Sequence, residues 1–326
     1  MMVTQPNVIQ LSDVPDPVPG TDELVVRVSY TGLCGTDLHI VEGSHPRAQF
    51  PLALGHEFVG VPESGPLVGR LVAVDPLLPC GTCDACRGGA SNACVELRLI
   101  GIDRDGALAG RVAVARDRMH LVPDGIPPEL GALAEPLAVA VHAVRRAPAL
   151  IDRLVVVVGG GPIGLLVAHV ARRSGAEVLI GEAAPTRRIQ AEQLGYDLLD
   201  AGDPVGDLAA RTAGRLADLV FDAAGVPQVA VFICNLVAAR GWLGVVGAYG
   251  RPTPFDLQAV MFKEVSVHGS RTYLPADLDS ALKILSADHG ELRRLVSGVI
   301  TPDAVGGAIE MLRAGEGMKY IVECSR

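Results

Sequence analysis

The sequence predicts an α/β protein in two parts: a doubly wound parallel-sheet domain, and an irregular β-rich domain that begins the chain. Three observations carry this. From Leu154 onward, strand-like and helix-like patterns alternate, as in a doubly wound unit. The first strand of that series, Leu154–Val158, is a continuous apolar run, as expected of a parallel strand buried on both faces. Residues 1 to about 130 instead carry short β-patterned runs cut by Gly and Pro clusters. A length of 326 residues accommodates both parts, since one domain takes roughly 150 residues.

In chain order, Pro15, Pro17 and Pro19 mark an early extended turn segment, and Leu24–Tyr30 and Leu71–Val74 read as strands. Ala132 to Val144 is an Ala-rich apolar helix interrupted early by Pro136. After the Leu154–Val158 strand come a helix over Ile163–Ser174, a strand over Glu177–Ile180 and a helix over Thr186–Leu194. A strand at Leu219–Asp222, a helix at Val229–Ala239 and strands at Trp242–Val246 and Glu264–His268 complete the series. From Arg271, two helical patterns (Asp277–Leu285 and Val305–Gly315) and a last strand (Lys319–Glu323) are too short for a third domain. They are expected to pack back on the first. The expected division is therefore 1–137 with 271–326, and 138–270.

Composition excludes several classes. Hydrophobic residues at 49% against 20% charged provide a large core and argue against disorder. Aromatics are only 4%, so Val, Leu, Ile and Ala must fill that core. The formal charge is −9 and no dense basic run occurs, which disfavours nucleic-acid binding. The longest uncharged stretch, Leu154 to Ala171, is broken by Gly159, Gly160, Gly161, Pro162 and Gly164 and is no membrane span. No basic segment followed by an apolar one opens the chain, so a cytoplasmic protein without a membrane partner is expected.

Four of the seven cysteines cluster as Cys80-x-x-Cys83-x-x-Cys86, then seven residues, then Cys94. A disulfide framework spreads its cysteines through a small secreted chain, whereas this density reads as a metal site. Four thiolates close a tetrahedral zinc site and leave no open position, so the site is structural; an iron–sulfur cluster is the minor alternative.

The run Gly159-Gly160-Gly161-Pro162-Ile163-Gly164 follows a buried strand and opens a helix. In that context its N–H groups point at a pyrophosphate and the glycines let the backbone approach it. The next strand ends at Glu182, about 20 residues on, where an acid holds a ribose 2′-OH. Its charge would repel a 2′-phosphate, favouring NAD over NADP. Arg187 and Arg188 temper that preference, because a nearby Arg can accept the phosphate.

A third group joins Gly32-Leu33-Cys34-Gly35-Thr36-Asp37-Leu38-His39 to Gly55-His56-Glu57. Cys34, His56 and Glu57 are each plausible zinc ligands, and Asp37 could orient a ligand imidazole. Taken singly each has an ordinary explanation; their joint occurrence carries the weight.

With these residues in this order, together with Glu135-Pro136-Leu137, the chain resembles the zinc-dependent medium-chain dehydrogenases/reductases, the alcohol dehydrogenase superfamily. The polyol, sugar and threonine dehydrogenase branch fits best. The resemblance implies a GroES-like catalytic domain, a Rossmann coenzyme domain and a homotetramer or homodimer. It also implies a catalytic zinc held by Cys34 and His56 with Glu57 or Glu135. Thr36 would take the substrate hydroxyl proton and His39 would deliver it to solvent through the coenzyme ribose. The reaction implied is hydride transfer between a secondary alcohol (on a polyol, sugar, aminocyclitol or hydroxy amino acid) and NAD, with two zinc ions per chain. The rivals are an NADP-linked carbonyl reductase and a redox-neutral or binding member.

Several positions depart from the family pattern. The segment after Gly60 is short, Arg70 replaces the usual acid, and Ala109-Gly110-Arg111 stands where an Ala-Glu-Tyr-like run is common. Ile40 stands where sorbitol dehydrogenases carry Tyr, which weakens a sorbitol assignment. Tyr273 could line the cleft or sit in the core, and Cys234 reads as core.

Overall fold

In the computed structural model, which describes residues 1–325, the five apolar residues Leu154–Val158 form a strand buried along its whole length. It lies inside a six-stranded sheet in the order Asp197–Leu198, Glu177–Gly181, Leu154–Val158, Ala217–Asp222, Val237–Val245, Ser266–Gly269. Every neighbouring pair is parallel. Successive strands run one way from Leu154–Val158 and then the other. The reversal leaves a crevice at the carboxyl ends of Leu154–Val158 and Ala217–Asp222, the usual ligand position in such sheets.

The connecting helices share a start signal. Pro162–Arg173, Pro185–Gln193, Pro204–Arg211 and Pro227–Leu236 each begin on proline, whose fixed φ and missing N–H suit a first helical position. Val156, Leu179, Val220 and Leu243 from the strands pack with Leu208, Ile233 and Leu236 from the helices. Burying one such side chain contributes roughly 1.5–3 kcal/mol.

Some elements differ from the sequence reading. The helix expected over Val229–Ala239 ends at Leu236, and Val237–Ala239 already belong to the next strand, where Val237 pairs with Ala217. Glu264 is not in a strand; it caps the Leu257–Lys263 helix at φ +50°, and the strand is Ser266–Gly269. The helix at Asp277 runs from Pro275 to Leu292. Two short helices, Pro204–Arg211 and Leu257–Lys263, were not anticipated. Both had a readable start: the Asp203 and Asp256 carboxylates accept N–H bonds from Gly206 and Ala259, each 2.9 Å long.

Two compact units result, one of Met1–Ala138 with the chain from Leu274 onward, the other of Val139–Tyr273. The first is organised by Glu23–Gly32. This strand pairs antiparallel with Glu57–Pro62, Arg111–Ala115 and the late strand Lys319–Glu323. Val26, Val28, Phe58, Val72, Val112 and Val114 fill its core. The register sets Gly32 opposite both Glu57 and Ile321, so three segments far apart in sequence converge at one end of the strand. The departures near Gly60 compensate one another: Arg111 holds Glu63 at 2.7 Å and Asp16 at 3.3 Å. Tyr273 and Cys234 are fully buried. No helix among the described residues is long and apolar enough to cross a membrane.

Candidate functional site

Within the first unit, Cys34 is the N-cap of the short helix Gly35–Val41. Its N–H donates to Asp37 Oδ2 at 2.9 Å. The first helical turn thereby fixes the thiol at the end of the Glu23–Gly32 strand. His56 and Glu57 arrive on the neighbouring strand and are 5% and 1% exposed. One ligand atom from each of Cys34, His56 and Glu57 lies within 4.8 Å of the others.

Asp37 does not orient His56 by a hydrogen bond. Its Oδ1 stays 3.7 Å from His56 Nδ1, and both atoms are buried with no hydrogen-bond partner. Burial alone would lower the His56 pKa, but Asp37, Cys34 and Glu135 raise it well above the ordinary value. Burial also raises Asp37. This is a desolvated, electron-rich pocket that favours a cation. A thiolate, an imidazole and a carboxylate suit zinc, and three protein ligands leave a fourth position open. The residues fit the ion.

Glu135 lies in the first turn of the Ala134–Arg145 helix, is 8% exposed, and its charge acts on both His56 and Lys319. It stands outside the compact three-ligand group. Thr36 is half-buried with its hydroxyl 3.8 Å from Cys34 Sγ. His39 follows three residues later on the same helix face. Its side chain is 67% exposed, 3.5 Å from Ser44 Oγ and 3.8 Å from Glu42. The residue that sequence reasoning missed is Lys319, buried against Glu57 at 2.7 Å.

Cys80, Cys83, Cys86 and Cys94 form a second group with sulfur atoms within 4.8 Å of one another. Cys94 and Cys80 are 3.5 Å apart, close to the edge of about 3.8 Å expected for a tetrahedron of 2.3 Å zinc–sulfur bonds. The N–H groups of Cys80 and Cys83 donate to Cys94 and Cys80 sulfur at 3.3 and 3.4 Å. N–H donation from Thr82 and Cys83 lowers the Cys80 thiol to about 6, whereas desolvation and the neighbouring thiols push Cys86 up to about 12. Four sulfur atoms this close can surround a single cation, so this group also fits zinc.

In the second unit, Gly159 to Gly164 connect Leu154–Val158 to the Pro162–Arg173 helix, with Gly161 as N-cap and Pro162 and Ile163 opening the first turn. Gly164 is obligatory: a Cβ there would stand 1.8 Å from the Gly159 carbonyl oxygen. Glu182 reaches back to this loop. Its Oε2 accepts the Gly160 N–H and its Oε1 those of Ala183 and Ala184, all at 2.7 Å. Arg187 lies 4.0 Å from the same carboxylate, while Arg188 is spent on the Glu182 and Leu199 carbonyls. A glycine-rich loop at a helix start, with a carboxylate beside it, fits a dinucleotide.

The family model for the alcohol dehydrogenase GroES-like domain matches residues 20–124, and that for zinc-binding dehydrogenase matches residues 162–287. The 2-dehydro-3-deoxy-L-galactonate 5-dehydrogenase of Pseudoalteromonas atlantica is 36% identical, covering 94% of this chain and 93% of its own. The L-galactonate-5-dehydrogenase of Escherichia coli is 35% identical, covering 83% and 82%. A zinc-binding dehydrogenase from Sinorhizobium meliloti, solved bound to NADP, is 32% identical with a TM-score of 0.90, covering 99% of this chain and 98% of that one.

Proposed function

The chain belongs to the zinc-binding alcohol dehydrogenase family and is an oxidoreductase, and from that premise we propose that it oxidises a secondary alcohol on a sugar acid or polyol with NAD as hydride acceptor. The observation that carries this reading is the Cys34–His56–Glu57 group, buried and ready for a cation, beside a helix that bears Thr36 and His39. Two galactonate 5-dehydrogenases among the relatives favour a sugar acid. Formation of NADH over a panel of sugar acids and polyols tests it; turnover with none of them would refute it.

Cys34 and His56 would hold the catalytic zinc, with Glu57 or Glu135 completing the set. With Nδ1 turned toward Asp37, His56 Nε2 is the nitrogen left for the metal. The ion, when bound, polarises the substrate hydroxyl and lowers its pKa. Thr36 would take the hydroxyl proton while releasing its own toward the coenzyme ribose, and His39, exposed one turn along the same helix, would pass a proton to solvent. The four cysteines would hold a second, structural zinc.

Coenzyme choice follows from Glu182. Its carboxylate, 8% exposed and fixed by three N–H bonds, would accept the ribose 2′-OH and repel a 2′-phosphate. Glu182→Ala is expected to weaken NAD binding by about tenfold, as the loss of a hydrogen bond to a charged group does, and to free Arg187 for NADP. Titration of both coenzymes checks this. A native protein that already prefers NADP, as bound to the Sinorhizobium relative, would reverse the reading.

A homodimer or homotetramer is part of the same proposal. Ser266–Gly269 is an edge strand, and Leu257, Met261 and Phe262 on the preceding helix are 70%, 62% and 72% exposed. Unpaired edges beside apolar surface favour association. A monomer by light scattering at micromolar concentration would exclude it.

A further inference from the structure

Asp222 ends the strand Ala217–Asp222 and is 1% exposed. Its carboxylate is held by three neutral donors. Oδ1 accepts the Ala224 and Gly225 N–H groups at 3.0 and 3.1 Å, and Oδ2 accepts the Tyr249 hydroxyl at 2.6 Å. A hydroxyl this close to a carboxylate makes one of the stronger kinds of hydrogen bond. Burial and the carboxylate raise the Tyr249 phenol above its ordinary value, so it remains a neutral donor. The Asp222 carbonyl in turn accepts the N–H groups of Val246 and Gly247 at 2.9 and 2.8 Å. One residue thus ties the turn after its own strand to the turn after Val237–Val245.

The two turns pack backbone on backbone. A Cβ on Gly247 would collide with the Gly225 nitrogen, and one on Gly225 would stand 2.9 Å from the Ala248 nitrogen. The Ala223–Gly225 turn also abuts the glycine-rich loop. A Cβ on Gly159 would stand 2.8 Å from the Ala224 nitrogen, and the Ala223 N–H donates to the Val158 carbonyl at 2.8 Å. Three turns at the carboxyl ends of three adjacent parallel strands therefore make one surface. The Tyr249 hydroxyl is the tie across it that comes from a side chain beyond the last of these strands.

The coenzyme reading says what this surface faces. Glu182, beyond one side of Leu154–Val158, would take the adenosine ribose, and the Gly159–Gly164 loop the pyrophosphate. A dinucleotide held at those two points extends its nicotinamide half to the other side, over the turns at residues 222–225 and 246–250.

We infer that Tyr249 is a positioning residue for the coenzyme: by holding the Asp222 carboxylate, it fixes the turns on which the nicotinamide half of the dinucleotide rests. The inference rests on the dinucleotide reading of the glycine-rich loop and applies to either coenzyme. Without the hydroxyl, one oxygen of a buried carboxylate loses its donor, a costly state. The turn that carries Tyr249 is then released from the end of the Ala217–Asp222 strand.

The test is Tyr249→Phe, which keeps the ring and removes the hydroxyl. NADH, NADPH and ADP are titrated separately into the zinc-loaded native and variant proteins. ADP carries the adenosine and two phosphates but no nicotinamide. NADH affinity should fall about tenfold, the scale of a lost hydrogen bond to a charged group. ADP affinity should stay within about twofold of native, as for an independent site. NADPH should weaken by the same factor as NADH, which leaves the preference set at Glu182 unchanged.

The inference is overturned if Tyr249→Phe binds NADH within about twofold of native. It is equally overturned if ADP and NADH weaken in equal measure, since that marks a general loss of structure. A native protein that binds neither NADH nor NADPH would instead overturn the coenzyme reading itself.

Discussion

Glu135→Ala is expected to lower turnover by roughly 10³-fold. A metal-polarised hydroxyl contributes several kcal/mol to transition-state stabilisation, and each 1.36 kcal/mol is tenfold in rate. Glu135 supplies negative charge at the start of the Ala134–Arg145 helix, and that charge acts on both His56 and Lys319. If Glu135 is the acid that completes the set, removing it leaves Cys34 and His56 with Glu57 held by Lys319. The catalytic zinc should therefore dissociate on dialysis, with dinucleotide binding by the second unit unchanged. Steady-state turnover together with zinc content decides the matter. A Glu135→Ala enzyme with full zinc and near-native kcat would remove this residue from the site.

Cys83→Ser should act on stability instead. Between Cys80 and Ala93 only Asn92 is buried, so little apolar packing holds this lobe, and on the proposed reading the structural metal does so. In isolated zinc modules, metal binding supplies the folding free energy. Here the lobe is tethered at both ends, so the loss should be smaller, with a melting temperature lower by on the order of 10 °C. Protease cleavage should concentrate between Thr82 and Ser91. An unchanged melt and an unchanged zinc count would show that the four thiols hold no metal.

The limits of reading this sequence lie in particular residues. Leu154–Val158 and Lys319–Glu323 are legible to the residue because each is short, apolar and bounded by turn or charged positions. The Pro227–Leu236 helix was overextended because Val237 and Ala238 suit a helix as well as a strand. Only pairing with Ala217, some twenty residues earlier, decides between them. Cys34, His56 and the four cysteines stood out through spacing and residue type. By residue type Asp37 could orient a ligand imidazole, yet its carboxylate accepts from the Cys34 N–H, a local capping contact that the helix start offers. Lys319 carried no signal of its own. At the start of a strand it reads as a solvated cation, and only the register of a sheet closed by the end of the chain brings it to Glu57.

The central claim is that this chain carries two separate zinc sites, and that the one at Cys34 and His56 performs the chemistry. Zinc per chain, measured by elemental analysis on native protein and on Cys34→Ser, tests it most directly. The account predicts two zinc ions in the native chain. It predicts one in Cys34→Ser, retained by the four cysteines, with NADH formation abolished. A Cys34→Ser protein with the native zinc count and native turnover would contradict it.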